Sequence, residues 1–188
     1  MKEITAEELK ATLESGETLT VVDIRETNEY ADWHIYGSHN IPVYNALTQG
    51  RAEALTEKIA DFPRDRSIVA VCRKGITSKM AARILESLGY SALSLRDGIR
   101  GWSEAWSEAR IPFAGRKDAT FIQIRRNGKG CLSYLLGSKG QAAIVDPNVD
   151  AQVYIQIAER EGLKITQVLE THVQGDHLSR ARELCQTT

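Results

Sequence analysis

The stretch SIVAVCRKGITSKMAARILESLGY, residues 67–90, constrains the fold of this chain more than any other. It opens on an apolar run, 68–72, with no polar alternation, the signature of a strand buried on both faces in a parallel sheet. A six-residue loop, 72–77, follows. The chain then reads as an amphipathic helix with Met80, Ile84 and Leu88 on one stripe and Gly89 as its C-terminal cap. The same grammar surrounds it. TLTVVDIR (18–25) and SALSLRDG (91–98) read as strands, and 5–13, 51–60 and IRGWSEAW (99–106) as helices. Thr5 followed three residues later by Glu8 is a capping box, with Leu9 and Leu13 facing inward. ETNEYADW (26–33) suggests a helical turn, and GSHNIPV (37–43) a loop entering an extended segment. Strands alternating with helices specify an α/β layer fold, a parallel sheet flanked by helices.

The style changes after residue 112. FIQIRR, CLSYLLGS and QAAIVDP are three strands in quick succession, separated by the turn pairs Asn127-Gly128 and Lys139-Gly140. A helix over 150–161, a strand over 164–171 and a helix over 176–185 follow. The expected organisation is a first domain over 1–112, a linker over 113–118 and a β-rich α/β segment over 119–188.

Composition excludes several classes. Lys plus Arg (24) nearly balance Asp plus Glu (25), so no global field favours nucleic acid or an anionic membrane as partner. No apolar run approaches the ~20 residues of a membrane span, and the charged N-terminus does not read as a secretory signal. Three cysteines in unrelated settings argue against a disulfide framework and for a reducing, cytoplasmic compartment.

Of the three, Cys72 stands apart. It lies at the carboxyl end of a buried strand, where open α/β sheets place their sites. Gly75 lets the loop curl so that successive backbone amides point inward as an anion nest. The start of the following helix, with Arg73 and Lys74, adds positive potential, so Cys72 is expected to be a thiolate nucleophile. Cysteine phosphatases use a loop one residue longer that ends in an arginine. Ser78 stands there in this chain, so persulfide chemistry is expected rather than phosphoryl transfer.

With those residues in view, 4–112 resembles a rhodanese domain. VVDIRETNEYADWHIYGSHNIP matches the upstream signature of that family through Asp23, Arg25, Glu29, Tyr30, His34, Ile35, Gly37, Asn40, Ile41 and Pro42; Trp33 replaces the usual glycine. LRDGIRGW matches the downstream signature, and CRKGIT is similar to the loop of thiosulfate sulfurtransferases. The resemblance implies double displacement through a Cys72 persulfide. Thiosulfate or a low-molecular-weight persulfide would be the donor, and cyanide, a thiol or a protein thiol the acceptor. Arg73 and Lys74 would hold the donor's oxyanion, with Gly75, Ile76 and Thr77 supplying the nest. Asp23 and Arg25 would support the loop. Two-domain thiosulfate enzymes of the family often carry an arginine near the position of Glu29, so turnover with thiosulfate is expected to be slow. No cofactor beyond the covalent persulfide is expected. A passive persulfide carrier or sensor is the alternative.

The second segment resembles the beginning of a metallo-β-lactamase fold, closest to the persulfide dioxygenase and glyoxalase II branch. Its turn THVQGDH (171–177) is similar to T-H-x-H-x-D-H, with Gln174 in place of one histidine. The resemblance makes His172, Asp176 and His177 the candidate metal ligands. A working site needs at least three convergent ligands, and the remaining ones are expected beyond residue 188. No iron or zinc is therefore expected to be held, although a fragment of a rhodanese–persulfide dioxygenase fusion with iron-dependent sulfur oxidation is a further alternative. A partial domain of this kind leaves an apolar sheet face and open edges to be covered, so docking on the first domain, a homodimer or exchange of strands with a second chain is expected.

Overall fold

The computed structural model describes residues 2–188 apart from 114, 117, 129 and 174–178. The first unit is built on five parallel strands: β1 (Lys2–Ile4), β2 (Leu19–Asp23), β3 (His39–Asn40), β4 (Ser67–Val71) and β5 (Ala92–Leu95), ordered β1-β5-β4-β2-β3. Helices α1 (Ala6–Ser15), α2 (Thr27–Asp32), α3 (Tyr44–Thr48), α4 (Glu53–Ile59) and α5 (Thr77–Ser87) connect them, and α6 (Gly98–Trp102) follows β5. Thr5 and Glu8 form the expected reciprocal cap on α1.

The unbroken apolar strands are explained by what covers them. Alternate residues of β2 and β4 point to opposite faces. Val22, Ile68 and Ala70 pack with α3, α4 and α5 through Leu47, Leu55, Ile59 and Leu85. Val21, Val69 and Val71 pack with α1 and α6 through Leu9, Ile99 and Trp102. Truncating a fully buried leucine such as Leu85 to alanine would cost about 2–5 kcal/mol.

The buried stripe of α5 is rotated from the expected one. Ser78, Ala81, Ala82 and Leu85 face the sheet, Ile84 and Leu88 pack at its margin, and Met80 is exposed. Two alanines at the centre let the helix lie close to the strands, and the long methionine is turned outward. Gly89, at φ +86°, follows the helix as its left-handed stop.

The boundary between units also differs from the sequence expectation. The first compact unit ends at Ala105 and the second begins at Trp106. Helix α6 closes at Trp102, and 106–112 does not finish the first domain. Trp106–Arg110 is a strand, β6, paired antiparallel with β7 (Ala119–Arg126). The indole of Trp106 packs on the core of the second unit, and this burial outweighs the helical reading of SEAW. Residues 113–118 therefore connect two strands of one sheet.

That sheet continues through β8 (Leu132–Ser138), β9 (Gln141–Val145) and β10 (Lys164–Leu169), in the order β10-β9-β8-β7-β6. Only β9 and β10 run parallel, joined through α7 (Ala151–Arg160); α8 (Ala181–Thr187) closes the described chain. Lys139 and Gly140 both take positive φ, as the tight β8–β9 hairpin requires. One face buries Ile122, Ile124, Leu135, Ala142 and Ile144 against Tyr154, Ile157, Ala158 and Leu184 of the helices. Phe121 and Tyr134 alternate to the other face and form a ring ladder with Phe113. Phe113, Leu132 and Leu136 remain exposed. Among the described residues, no helix is long and apolar enough to cross a membrane.

Candidate active site

Strand β4 delivers Cys72 to the carboxyl end of the first sheet, where its side chain is buried. The loop after it is shaped by two glycines. Gly75 takes φ +77°, and a Cβ there would lie 2.7 Å from the Asp97 nitrogen and 3.1 Å from the Leu95 carbonyl oxygen. Gly98 takes φ +58°, and a Cβ there would lie 2.8 Å from both the Arg73 carbonyl carbon and the Gly75 nitrogen, and closer still to the Cys72 carbonyl oxygen. Backbone packs directly on backbone at this seam. Ile99 N donates to Cys72 O at 2.8 Å and Arg100 N to Arg73 O at 3.3 Å. The loop's carbonyls are thereby tied to the start of α6. Among the described residues, the amides of Arg73, Lys74, Gly75 and Ile76 meet no protein acceptor. Helix α5 starts at Thr77 with no side-chain cap, so its positive end is left open toward the loop.

Two buried hydroxyls that sequence reading did not assign to the thiol stand beside it. Cys72 Sγ lies 3.2 Å from Ser78 Oγ, and Ser94 Oγ donates to Ser78 Oγ at 2.9 Å. Both serines are fully buried. The available signal was Ser94 itself, a polar residue between leucines in an otherwise apolar strand.

The two expected oxyanion cations are in different states. Arg73 Nε donates to Glu29 Oε1, and its guanidinium lies 5.5 Å from the centre of the Tyr44 ring. The Arg73 hydrogen bond and charge hold the Glu29 carboxyl below the usual carboxylate range, against the desolvation of partial burial, with Arg25 adding to the effect. Glu29 in turn raises Arg73. The second carboxylate oxygen of Glu29 is buried without a hydrogen-bond partner among the described residues. Lys74 is exposed and makes no ion pair among the described residues. A cleft of about 470 Å³ beside the loop is lined by Lys74, Ile76, Asp97, Arg100, Gly101 and Glu104.

Asp23 and Arg25 form a buried bidentate pair, with Arg25 Nη2 at 2.6 Å from Asp23 Oδ2 and 2.7 Å from the Trp33 carbonyl oxygen. Asn40 Nδ2 donates to the carbonyls of Asp23 and Arg25. These side chains brace the β2–α2 connection, which leads into α2, the helix that carries Glu29. The link to the β4 end is the backbone bond from Ile24 N to Val71 O, 2.9 Å.

In the second unit, Thr171 donates through N and Oγ1 to the carboxylate of Asp146, a non-glycine residue at φ +51°. His172 Nδ1 lies 2.8 Å from Thr171 Oγ1. Asp176 and His177, the other two candidate ligands, and Gln174 lie outside the described residues. Among the described residues, no three His, Cys, Asp or Glu side chains converge on a metal-sized point.

A rhodanese-like domain model matches residues 5–105, and a metallo-beta-lactamase superfamily model matches 126–188. A sulfurtransferase of Allochromatium vinosum is 31% identical over 104 residues, 55% of this chain and 89% of that protein. A putative sulfurtransferase of Bacillus subtilis is 28% identical over 102 residues, covering 54% of this chain and 90% of its own length. A probable adenylyltransferase/sulfurtransferase of Mycobacterium tuberculosis is 33% identical over 102 residues, 54% of this chain. The chain spans only 24% of that last protein.

Proposed function

Because the chain belongs to the rhodanese-like domain family, we propose that it is a sulfurtransferase working through a persulfide on Cys72. The sulfurtransferase names of its relatives support sulfur transfer at the level of the family. One observation carries the finer reading: Cys72 opens a loop whose next four amides meet no acceptor among the described residues. Such a ring of donors suits the negative charge of a terminal sulfur.

In the first half-reaction the Cys72 thiolate attacks the outer sulfur of the donor. With thiosulfate, the S–S bond breaks, sulfite leaves with the electron pair, and Cys72 carries S–S⁻. With a low-molecular-weight persulfide, R–S–SH, the leaving group is the thiolate RS⁻. In the second, cyanide or a thiol attacks that outer sulfur; with cyanide, thiocyanate departs and the Cys72 thiolate returns. Of the two expected oxyanion cations, Lys74 is the one in no ion pair among the described residues and so is placed to meet the donor's oxyanion, with the adjoining cleft for its leaving part. Arg73 is already engaged by Glu29. This supports slow turnover with thiosulfate and favours a persulfide donor with a less charged leaving group.

A sulfite-release assay with thiosulfate, run beside thiol release from glutathione persulfide, tests this. Wild type should turn over and gain the mass of one sulfur on the Cys72 peptide, and Cys72→Ser should do neither. A persulfide that forms but never turns over would make the chain a passive carrier. For the second unit, the exposed apolar side chains Phe113, Leu132 and Leu136 support pairing with a second copy. Sedimentation equilibrium reporting a monomer would remove that part.

A further inference from the structure

Strand alternation places Ser94 on the same face as Ala92, beneath α5. The neighbouring strand carries Ala70, opposite Ser94, and then Cys72 on that same face. The first turn of α5 sets Ser78 above both. The result is a buried line of three polar atoms, Ser94 Oγ, Ser78 Oγ and Cys72 Sγ, in surroundings that are otherwise aliphatic. Each serine has one proton. That of Ser94 is given to Ser78. The proton of Ser78 could turn to a carbonyl one helical turn back, but among the described residues it makes no such bond. Its other neighbour is the sulfur. Buried hydroxyls keep their hydrogen bonds, so the Ser78 O–H is aimed at Cys72 Sγ and Ser94 fixes that aim.

We propose that Ser78 is a catalytic residue that donates to the Cys72 thiolate as it is released, with Ser94 as the residue that positions it. This rests on the sulfur-transfer reading above and assigns a step within it. The inner sulfur is neutral while it holds the outer one, and fully charged once that sulfur has left. A fixed donor is therefore worth more to the departing thiolate than to the persulfide. Ser78 speeds the second half-reaction and gives no equal help to the first, where the same bond stabilises the attacking thiolate. A serine that only packed the site would affect both halves alike.

The test uses the full chain and a sulfur placed on Cys72 chemically. The thiolate attacks inorganic polysulfide, an S–S bond of the polysulfide breaks, and the shortened polysulfide leaves. Cyanide is then added and thiocyanate followed in a single turnover. Ser78→Ala should slow this release about tenfold, the low end for a hydrogen bond to a charged acceptor. Ser94→Ala should slow it by a smaller factor, and Ser78→Thr, which keeps the hydroxyl, should restore most of the rate. Circular dichroism monitors the fold, and Ser94→Ala carries the test if Ser78→Ala does not fold. Release within about twofold of wild type in both alanine variants overturns the proposal, as does equal slowing of sulfur loading and release. If wild type turns over no donor, yet Ser78→Ala still slows release of the chemically placed sulfur, the sulfurtransferase reading fails and the role of Ser78 stands.

Discussion

Replacing Gly98 by alanine would disturb the seam on which the Cys72 loop rests. Its φ of +58° is left-handed, which costs an L-residue with a Cβ about 1–2 kcal/mol. The added methyl would also meet fixed backbone, 2.8 Å from the Arg73 carbonyl carbon and the Gly75 nitrogen. Neither can rotate aside, so the loop and the start of α6 must separate, with an overpacking cost of about 1–3 kcal/mol. The first unit should therefore lose roughly 2–5 kcal/mol. Gly50→Ala is the matched control. It has a similar φ of +78° but nothing within 4 Å of the new methyl, so it should lose only the backbone part, about 1–2 kcal/mol. Hydrogen exchange of the β4 amides in the full chain reports opening of this unit separately from the second. Sulfur transfer should fall much further in Gly98→Ala, by on the order of 100-fold, because a shift of about 1 Å spoils the attack geometry. Equal losses of stability in the two variants, or normal sulfur transfer in Gly98→Ala, would refute the idea that this backbone contact seats the nucleophile.

Other consequences are read from the remaining contacts. Lys74→Ala should raise the KM for thiosulfate about tenfold and Arg73→Ala by less, since Arg73 is held by Glu29; the reverse order in steady-state kinetics would show that the clamp opens for the donor. The Glu29 carboxyl titrates below its ordinary 4.5, so the stabilisation from its pair with Arg73 is complete above that value. It is lost as pH falls through the lowered folded value. Urea unfolding should show a gap between wild type and Glu29→Gln that is constant at neutral pH and closes in acid, and a gap that widens in acid would contradict the pairing. In the second unit, Tyr154 Oη accepts from Asn148 N at 2.8 Å and pairs with Ser133 Oγ at 2.7 Å. Tyr154→Phe strands those groups in the core and should cost about 1–3 kcal/mol by hydrogen exchange of β8 and β9, while a loss under about 0.5 kcal/mol would mean they find other partners.

Much of the first unit was legible in the sequence because its signals are local. The capping box at Thr5 and Glu8, the doubly apolar strands and the glycine stop of α5 depend on near neighbours, and the structure contains each of them. Cys72 at a strand end and Gly75 in the turn were also visible from spacing, and Ser78 in place of an arginine from comparison with the cysteine phosphatase loop. The chain did not disclose the partners across long separations. Trp106 reads as a helical residue until β7 is present to pair with it. Arg73 reads as a free cation until Glu29, 44 residues earlier, is brought against it. Ser94 has no stated purpose until the parallel pairing of β4 and β5 sets it beside Ser78 and, through it, the thiol. Backbone pattern and turn chemistry are encoded within a few residues. Which charge is neutralised, and which proton faces the sulfur, is decided only when the sheet order is complete.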